Sequence, residues 1–369
     1  MNTATKIAMR SPLKYVQQAE ILSELGAYVA AVGTRVLVLT SQGNLDRFGS
    51  QIRRSLESGA CQCVFAQFRG EVTEQEAHRV AELSIAENCD VILGAGGGRV
   101  LDTARAAADE AGKRLVIFPT VAANDAPCSA VVVFHDDAGK VVKVQEVRRN
   151  PDLVMVDTAI VAQAPVRFLA AGMGDALATW YEARACSRSG AMTHSGAPGG
   201  RAALALAKLC RDTLLDQGSA AMDAVERHEI DPALEDVVHA SVYLSGMGFE
   251  NGGTAASHAV SDGFTAIPES RHLLHGELVG FGVLTQLELE HALSPEKKLI
   301  HDFMHRVSLP MTLRQLGLSG LSEEKLRCVA AVASSAPPMK NMPFPVCADD
   351  VYQAILAADA ASAEYLALR

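Results

Sequence analysis

The sequence predicts an α/β domain built on a doubly wound parallel sheet, followed by an all-helical domain. Three observations carry this. Short β-branched runs alternate with helical patterns through residues 1–162, a glycine run stands at one strand-to-helix junction, and strand signals stop in residues 163–369 while helical ones continue.

Taken in order, VLVLT (36–40) and VFAQF (64–68) read as buried strands. TEQEAHRVAELSIAEN (73–88) has apolar residues at helical spacing, with Thr73 as an N-cap and Glu76 three residues on. VILGAG (91–96), a helix through LDTARAAADEA, and RLVIFPT (114–120) make a strand–helix–strand unit, which closes right-handed with parallel strands. VVVFHDDAGKVVKVQ (131–145) places two alternating runs around Asp-Ala-Gly-Lys and predicts a hairpin; LVMVD (153–157) is the last strand. After a joint at APVRFLAAG (164–172), helices are expected at 202–216, 233–248, 277–293, 322–335 and from Asp349 to the end.

Composition narrows the function. Hydrophobic residues make up 49% and charged residues 21%, enough for a sizeable core, and the net charge of −10 argues against a nucleic-acid or membrane-surface partner. The eight cysteines form no paired CxxC set and read as reduced thiols; Cys61 and Cys63 alone make a weak metal motif. With no apolar leader and no 18-residue apolar run, a soluble, cytoplasmic protein is expected.

GAGGGRVLDTAR (94–105) joins a strand to a helix, and Gly96 to Gly98 leave the backbone N–H groups open to a phosphate beside a helix N-terminus. The spacing fits neither GxGxxG nor GxxxxGK[ST], so a tight turn is the competing reading. Ser41 follows the first strand, where a ribose-binding acid often stands. Asp175, expected near a helix start, His258 and His275 are separated by 83 and 17 residues; by spacing alone each reads equally as a cap, a polar core group or a surface residue, and His272 rivals His275.

Longer stretches carry more: SPLKYVQQA, GAGGGRVLDTAR, PTVAANDAPCSA, NPDLVMVDTAIVAQAPVRFLAAGMGDALATWYEARACSRSGA, YLSGMGFENGG, SHAVSDGFTAIP, HGELVGFG and NMP (341–343). Together they resemble the glycerol dehydrogenase branch of the metal-dependent, iron-containing alcohol dehydrogenases, over almost the whole chain. The resemblance implies a Rossmann-like nucleotide domain, a helical domain in a dehydroquinate synthase-like architecture, and zinc or another divalent ion in the cleft between them. It carries the metal ligands to Asp175, His258 and His275, with Thr179 where other branches have a fourth ligand, a histidine. It puts the cofactor pyrophosphate on Gly97, Gly98 and Arg99, the nicotinamide half along Thr120, Ser129, Val131 and His135, and the polyol on Asp125.

Three departures fall near the cofactor. Ser41 replaces an aspartate, Ala123-Asn124 replaces Ser-Thr, and His135 replaces a tyrosine, so the resemblance implies NAD and leaves NADP open. The implied reaction is hydride transfer from a small polyol such as glycerol to NAD(P), in a homo-oligomer with the octamer as one candidate size. No side chain stands out as a general base. The competing functions are a related hydroxyketone dehydrogenase using NADP, a 3-dehydroquinate synthase-like lyase, and a non-catalytic nucleotide-binding relative. The lyase needs a more basic cleft than Arg99 supplies, and a non-catalytic relative has no need of the full ligand set.

Overall fold

The computed structural model describes residues 6–136 and 141–369. Its strands are β1 (Tyr15–Gln18), β2 (Arg35–Thr40), β3 (Gln62–Gln67), β4 (Val91–Gly96), β5 (Arg114–Pro119), β6 (Val131–His135), β7 (Val141–Glu146) and β8 (Leu153–Asp157). Six form one parallel sheet in the order β1-β8-β5-β4-β2-β3, while β6 and β7 pair antiparallel as a separate ribbon. The expected Asp-Ala-Gly-Lys turn lies outside the described residues, but the two runs flanking it do pair.

Helices α1 (Leu25–Ala30), α2 (Gln42–Ser58), α3 (Glu74–Ala86) and α4 (Gly98–Ala111) connect the strands, and α5 (Thr158–Ala162) comes after the last. Every residue of β4 is buried, as expected of a strand covered on both faces. Side chains alternate across the sheet: Leu37, Leu39 and Ile92 face the cluster containing Ala81 and Ala104, while Val36, Val38 and Leu93 face Ile52 and Leu56. Thr73 caps α3 as expected, its Oγ1 accepting the Glu76 N–H at 3.0 Å. Strand β1 gives no clear signal in the sequence because it is only four residues long, whereas α2 buries Phe48, Ile52 and Leu56 at helical spacing along one face of an otherwise polar helix.

Beyond residue 165 the chain is helical: α6 (Val166–Ser189), α7 (Arg201–Glu226), α8 (Pro232–His239), α9 (Ser245–Gly252), α10 (Ala256–Thr265), α11 (His275–Leu289), α12 (Ser294–Arg306), α13 (Glu323–Ser335) and α14 (Ala348–Ala367). The single helix expected at 233–248 is instead α8 and α9 joined by a π-turn at Ala240–Leu244. Such a turn inserts a residue and rotates the helix beyond it, which sequence periodicity hides when both faces are apolar.

Helix α6 differs more consequentially. Pro165 supplies its N-cap, so the helix begins nine residues before Asp175 and the aspartate lies in mid-helix, fully buried, rather than near its start. Gly172 and Gly174 resemble helix breakers in the sequence but serve as contact points. A Cβ on Gly172 would stand 2.0 Å from the Ala122 carbonyl oxygen, and one on Gly174 would stand 2.3 Å from that of Gly276. Helix α6 therefore meets both the loop after β5 and helix α11 backbone to backbone.

Candidate metal and nucleotide site

The close approach of α6 to α11 brings Asp175 to the first residue of α11, His275, and α10 supplies His258 two residues into its first turn. Both Nε2 atoms stand 3.5 Å from Asp175 Oδ1, and the three potential ligand atoms lie within 4.8 Å of one another. Asp175 Oδ2 accepts the Asp125 N–H at 3.1 Å, whereas the buried Oδ1 has no hydrogen-bond partner. A buried carboxylate oxygen facing two imidazoles fits a cation. Ligands ~2.0–2.1 Å from a tetrahedral zinc ion are about 3.3–3.4 Å apart, close to the spacing found here.

Electrostatics divide the carboxylates. Burial pushes Asp175 up, but His275 and His258 beside it outweigh burial and hold it below the usual range. Asp125 is raised well above that range, first by burial and then by the Asp175 charge. For His258, burial lowers the pKa, but Glu182 and Asp175 raise it more strongly, and it ends well above the usual imidazole value. The Ser245 hydroxyl donates to Asp125 Oδ2 at 3.3 Å and shares a 2.7 Å hydrogen bond with Thr179 Oγ1. Thr179 thus supports Asp125 through Ser245.

His272 turns elsewhere: its Nε2 meets the Leu316 carbonyl at 3.1 Å, which separates it from His275. Cys61 is buried and Cys63 half-buried, both are free thiols, and neither is in the metal-compatible group. A surface depression of about 610 Å³, lined by Arg188, Ser334, Lys340 and Phe344 among others, shares no residue with this site.

Of the residues expected to hold the nucleotide, Ser41, Gly97 and Thr120 follow the carboxyl ends of β2, β4 and β5, where open α/β sheets bind ligands, while Ser129 precedes β6 and Val131 and His135 lie on it. Gly97 is the N-cap of α4 and no side chain caps it, so the first-turn N–H groups are open to an anion. A Cβ on Gly97 would meet only Val121 at 3.7 Å; one on Gly98 would stand 2.5 Å from Asn124 Nδ2, placing that side chain against the loop. Arg99 is exposed and its Nε is 3.3 Å from Glu71.

Ser41 caps α2, accepting the Asn44 N–H at 3.4 Å, and Asn44 Nδ2 donates to Thr120 Oγ1 at 3.3 Å. Ser129 is buried, donating to the Ala126 carbonyl and accepting from the Val131 N–H. Burial holds His135 below the usual imidazole value, and its buried Nδ1 has no hydrogen-bond partner. Asp102 pairs with the buried Arg105, which also donates to the Val131 and Ala126 carbonyls at 2.9 and 2.5 Å. That buried pair fixes the segment between β5 and β6 that carries Asp125 and Ser129, together with Val131 at the start of β6.

Against this geometry, residues 12–158 match the family model described as iron-containing alcohol dehydrogenase. A glycerol dehydrogenase from Escherichia coli O6:H1 is 46% identical over 95% of this chain and 96% of its own length. One from Pseudomonas putida is 45% identical over 97% of this chain and 99% of its own. The chain belongs to the iron-containing alcohol dehydrogenase family. A crystal structure of a probable glycerol dehydrogenase from Sinorhizobium meliloti superposes with a TM-score of 0.93 at 38% identity, covering 97% of this chain and 100% of that one. Members of this family pair a nicotinamide cofactor with a divalent metal, and Asp175, His258 and His275 offer a donor set of two imidazoles and a carboxylate that suits such an ion. No helix among the described residues is long and apolar enough to cross a membrane.

Sequence reasoning did not mark Glu182, Ser245 or Asn44, which hold site residues in place. For Glu182 a signal existed. It lies seven residues after Asp175, two turns along one face of a helix.

Proposed function

We propose that this protein oxidises a small vicinal polyol, with glycerol the first candidate, by hydride transfer to a nicotinamide dinucleotide, using a divalent metal held by Asp175, His258 and His275. The observation that carries the reading is Asp175 Oδ1: fully buried, without a hydrogen-bond partner, and equidistant from two imidazole nitrogens. Zinc suits the two-nitrogen, one-oxygen set, and three protein ligands leave a position for substrate oxygen. When bound, the ion supplies Lewis acidity that eases loss of a hydroxyl proton.

The chain's own residues do the rest. Asp125, steadied by Ser245 and by its own N–H on Asp175, accepts a substrate hydroxyl and orients the polyol. Gly97, Gly98 and Arg99 hold the pyrophosphate at the α4 N-terminus. Thr120, Ser129, Val131 and His135 line the nicotinamide half, with the orphaned His135 Nδ1 available to the cofactor. Ser41 puts no negative charge at the ribose edge, and this supports a second reading in which NADP is accepted alongside NAD in a hydroxyketone-reducing direction. The strong likeness to glycerol dehydrogenases supports a dehydrogenase over a lyase or a non-catalytic nucleotide binder. A cytoplasmic homo-oligomer remains the expectation for its assembly, to be measured by light scattering.

The test is absorbance at 340 nm with glycerol and 1,2-propanediol, each with NAD and NADP, with and without zinc. A zinc-dependent rise abolished by Asp175→Ala is expected. Zinc-loaded, nucleotide-binding protein with no turnover on either diol would sink the polyol reading.

A further inference from the structure

Glu182 is fully buried on α6 and binds three donors, all from one element. Its Oε1 accepts the backbone N–H groups of Ala255 and His258, each at 2.8 Å, and its Oε2 meets His258 Nδ1 at 2.6 Å. The N-cap of α10 is Ala255, which has no side chain able to cap, so Glu182 supplies that cap from a neighbouring helix. The same carboxylate therefore seats the helix and grips the ring that the helix carries.

We propose that Glu182 is a positioning residue that fixes His258 as a metal ligand by holding the ring proton on Nδ1, so that the Nε2 lone pair faces Asp175 and His275. The proposal rests on the reading of those three residues as the metal site. An ionised carboxylate can only accept hydrogen bonds, so the nitrogen it meets must carry a proton. An ion displaces the Nε2 proton and leaves the ring with one, and holding that one on Nδ1 turns the Nε2 lone pair to the side where Asp175 Oδ1 stands 3.5 Å away. Asp175 and Glu182, two turns apart on α6, thus act as a pair: one faces the ion and the other orients a ligand.

Glutamine at 182 is the discriminating variant, because it keeps the shape and removes one acceptor. With its oxygen toward His258 Nδ1, its NH2 faces two backbone N–H donors. With its oxygen toward those donors, its NH2 donates to Nδ1 and drives the ring proton onto Nε2, where no lone pair is left for a metal. Gln286 is the control. It also ties down the start of α10, accepting from Ser257 N–H and Oγ at 3.0 and 2.8 Å, while its amide NH2 donates to the Tyr181 carbonyl and Glu290 rather than to the His258 ring.

Zinc affinity of the full-length protein, measured by competition with a chromophoric chelator, and the visible spectrum of the cobalt(II) form give two readouts that do not depend on turnover. Glu182→Gln is expected to weaken zinc binding about 10–100-fold and to alter the cobalt spectrum, whereas Gln286→Ala keeps zinc affinity within a few-fold even where its melting temperature falls. Wild-type affinity retained in Glu182→Gln would overturn the proposal and leave the metal site standing. Equal losses in both variants would overturn it too, reducing Glu182 to a seat for α10. A wild-type protein that binds no zinc or cobalt would overturn the metal reading itself, and this inference with it.

Discussion

Gly276→Ala tests how the metal group is assembled. A Cβ on Gly276 would stand 1.8 Å from the Ala171 carbonyl oxygen and 2.6 Å from its carbonyl carbon, both backbone atoms that no rotamer change can move. Ordinary contact begins near 3.4 Å, so α11 must retreat from α6 by about 1.6 Å at this point. Gly276 is the residue after His275, and Ala171 precedes Asp175 by one turn, so the retreat opens the 3.5 Å approach of His275 Nε2 to Asp175 Oδ1. Metal sites tolerate about ±0.2 Å in ligand distance, several-fold less than this shift. Overpacking alone is expected to cost about 1–3 kcal/mol of stability, and zinc should no longer protect the fold. Wild-type protein at a hundredfold excess of zinc over its Kd gains about 2.7 kcal/mol, read as a rise in melting temperature. The control lies one turn on. A Cβ on Gly280 meets Gly174 Cα and Met304 Cε at 3.5 Å, ordinary contact, so Gly280→Ala should keep zinc affinity and stability near wild type. Calorimetric melts with and without zinc decide it: a Gly276→Ala protein that retains the full zinc-induced shift would refute the reasoning.

Ser41→Asp should raise the NAD-to-NADP ratio of kcat/KM at least tenfold, because a carboxylate at the ribose edge repels a 2′-phosphate; an unchanged ratio would place the ribose elsewhere. Asp102→Ala strands the buried Arg105 guanidinium, so urea unfolding should show a loss of about 3–5 kcal/mol, with weakened substrate binding as the segment bearing Asp125 loosens. Asp302 binds Lys298, Tyr365 Oη and the Arg369 side chain, and the first two hydrogen bonds lead in lowering its pKa to about 2. A depressed folded pKa gives stability that is present above the ordinary carboxylate value and is lost as pH falls toward 2. Because Asp302 lies near the surface, screening limits the contribution to under about 1 kcal/mol; Asp302→Asn should lose that much at pH 7, flatten the stability–pH curve between about pH 4 and pH 2, and converge on wild type at the acid end.

Local chemistry was enough to read much of the α/β half. The β4 run VILGAG is continuous and apolar because both of its faces are covered, Thr73 caps α3 because its side chain reaches a local N–H, and the glycines at 96–98 mark a strand–helix junction by composition. The site's membership was legible only through resemblance. Spacings of 83 and 17 residues carry no physical signal, because no local geometry links Asp175 to His258 or His275.

Only the tertiary structure decided the rest. It put Asp175 in the middle of a helix, since Gly172 and Gly174 accept neighbouring backbones that any larger residue would hold off. It separated His275 from His272, whose ring turns to Leu316, and it introduced the π-turn that brings Ser245 to Asp125. It also gave Glu182 three donors from another helix. Sequence alone determined most of the strands and helices, though not the short β1 or the extent of α6, because those preferences act over one or two turns. Which nitrogen meets which oxygen was settled by helices crossing at glycine, contacts between residues a hundred positions apart that no window along the chain contains.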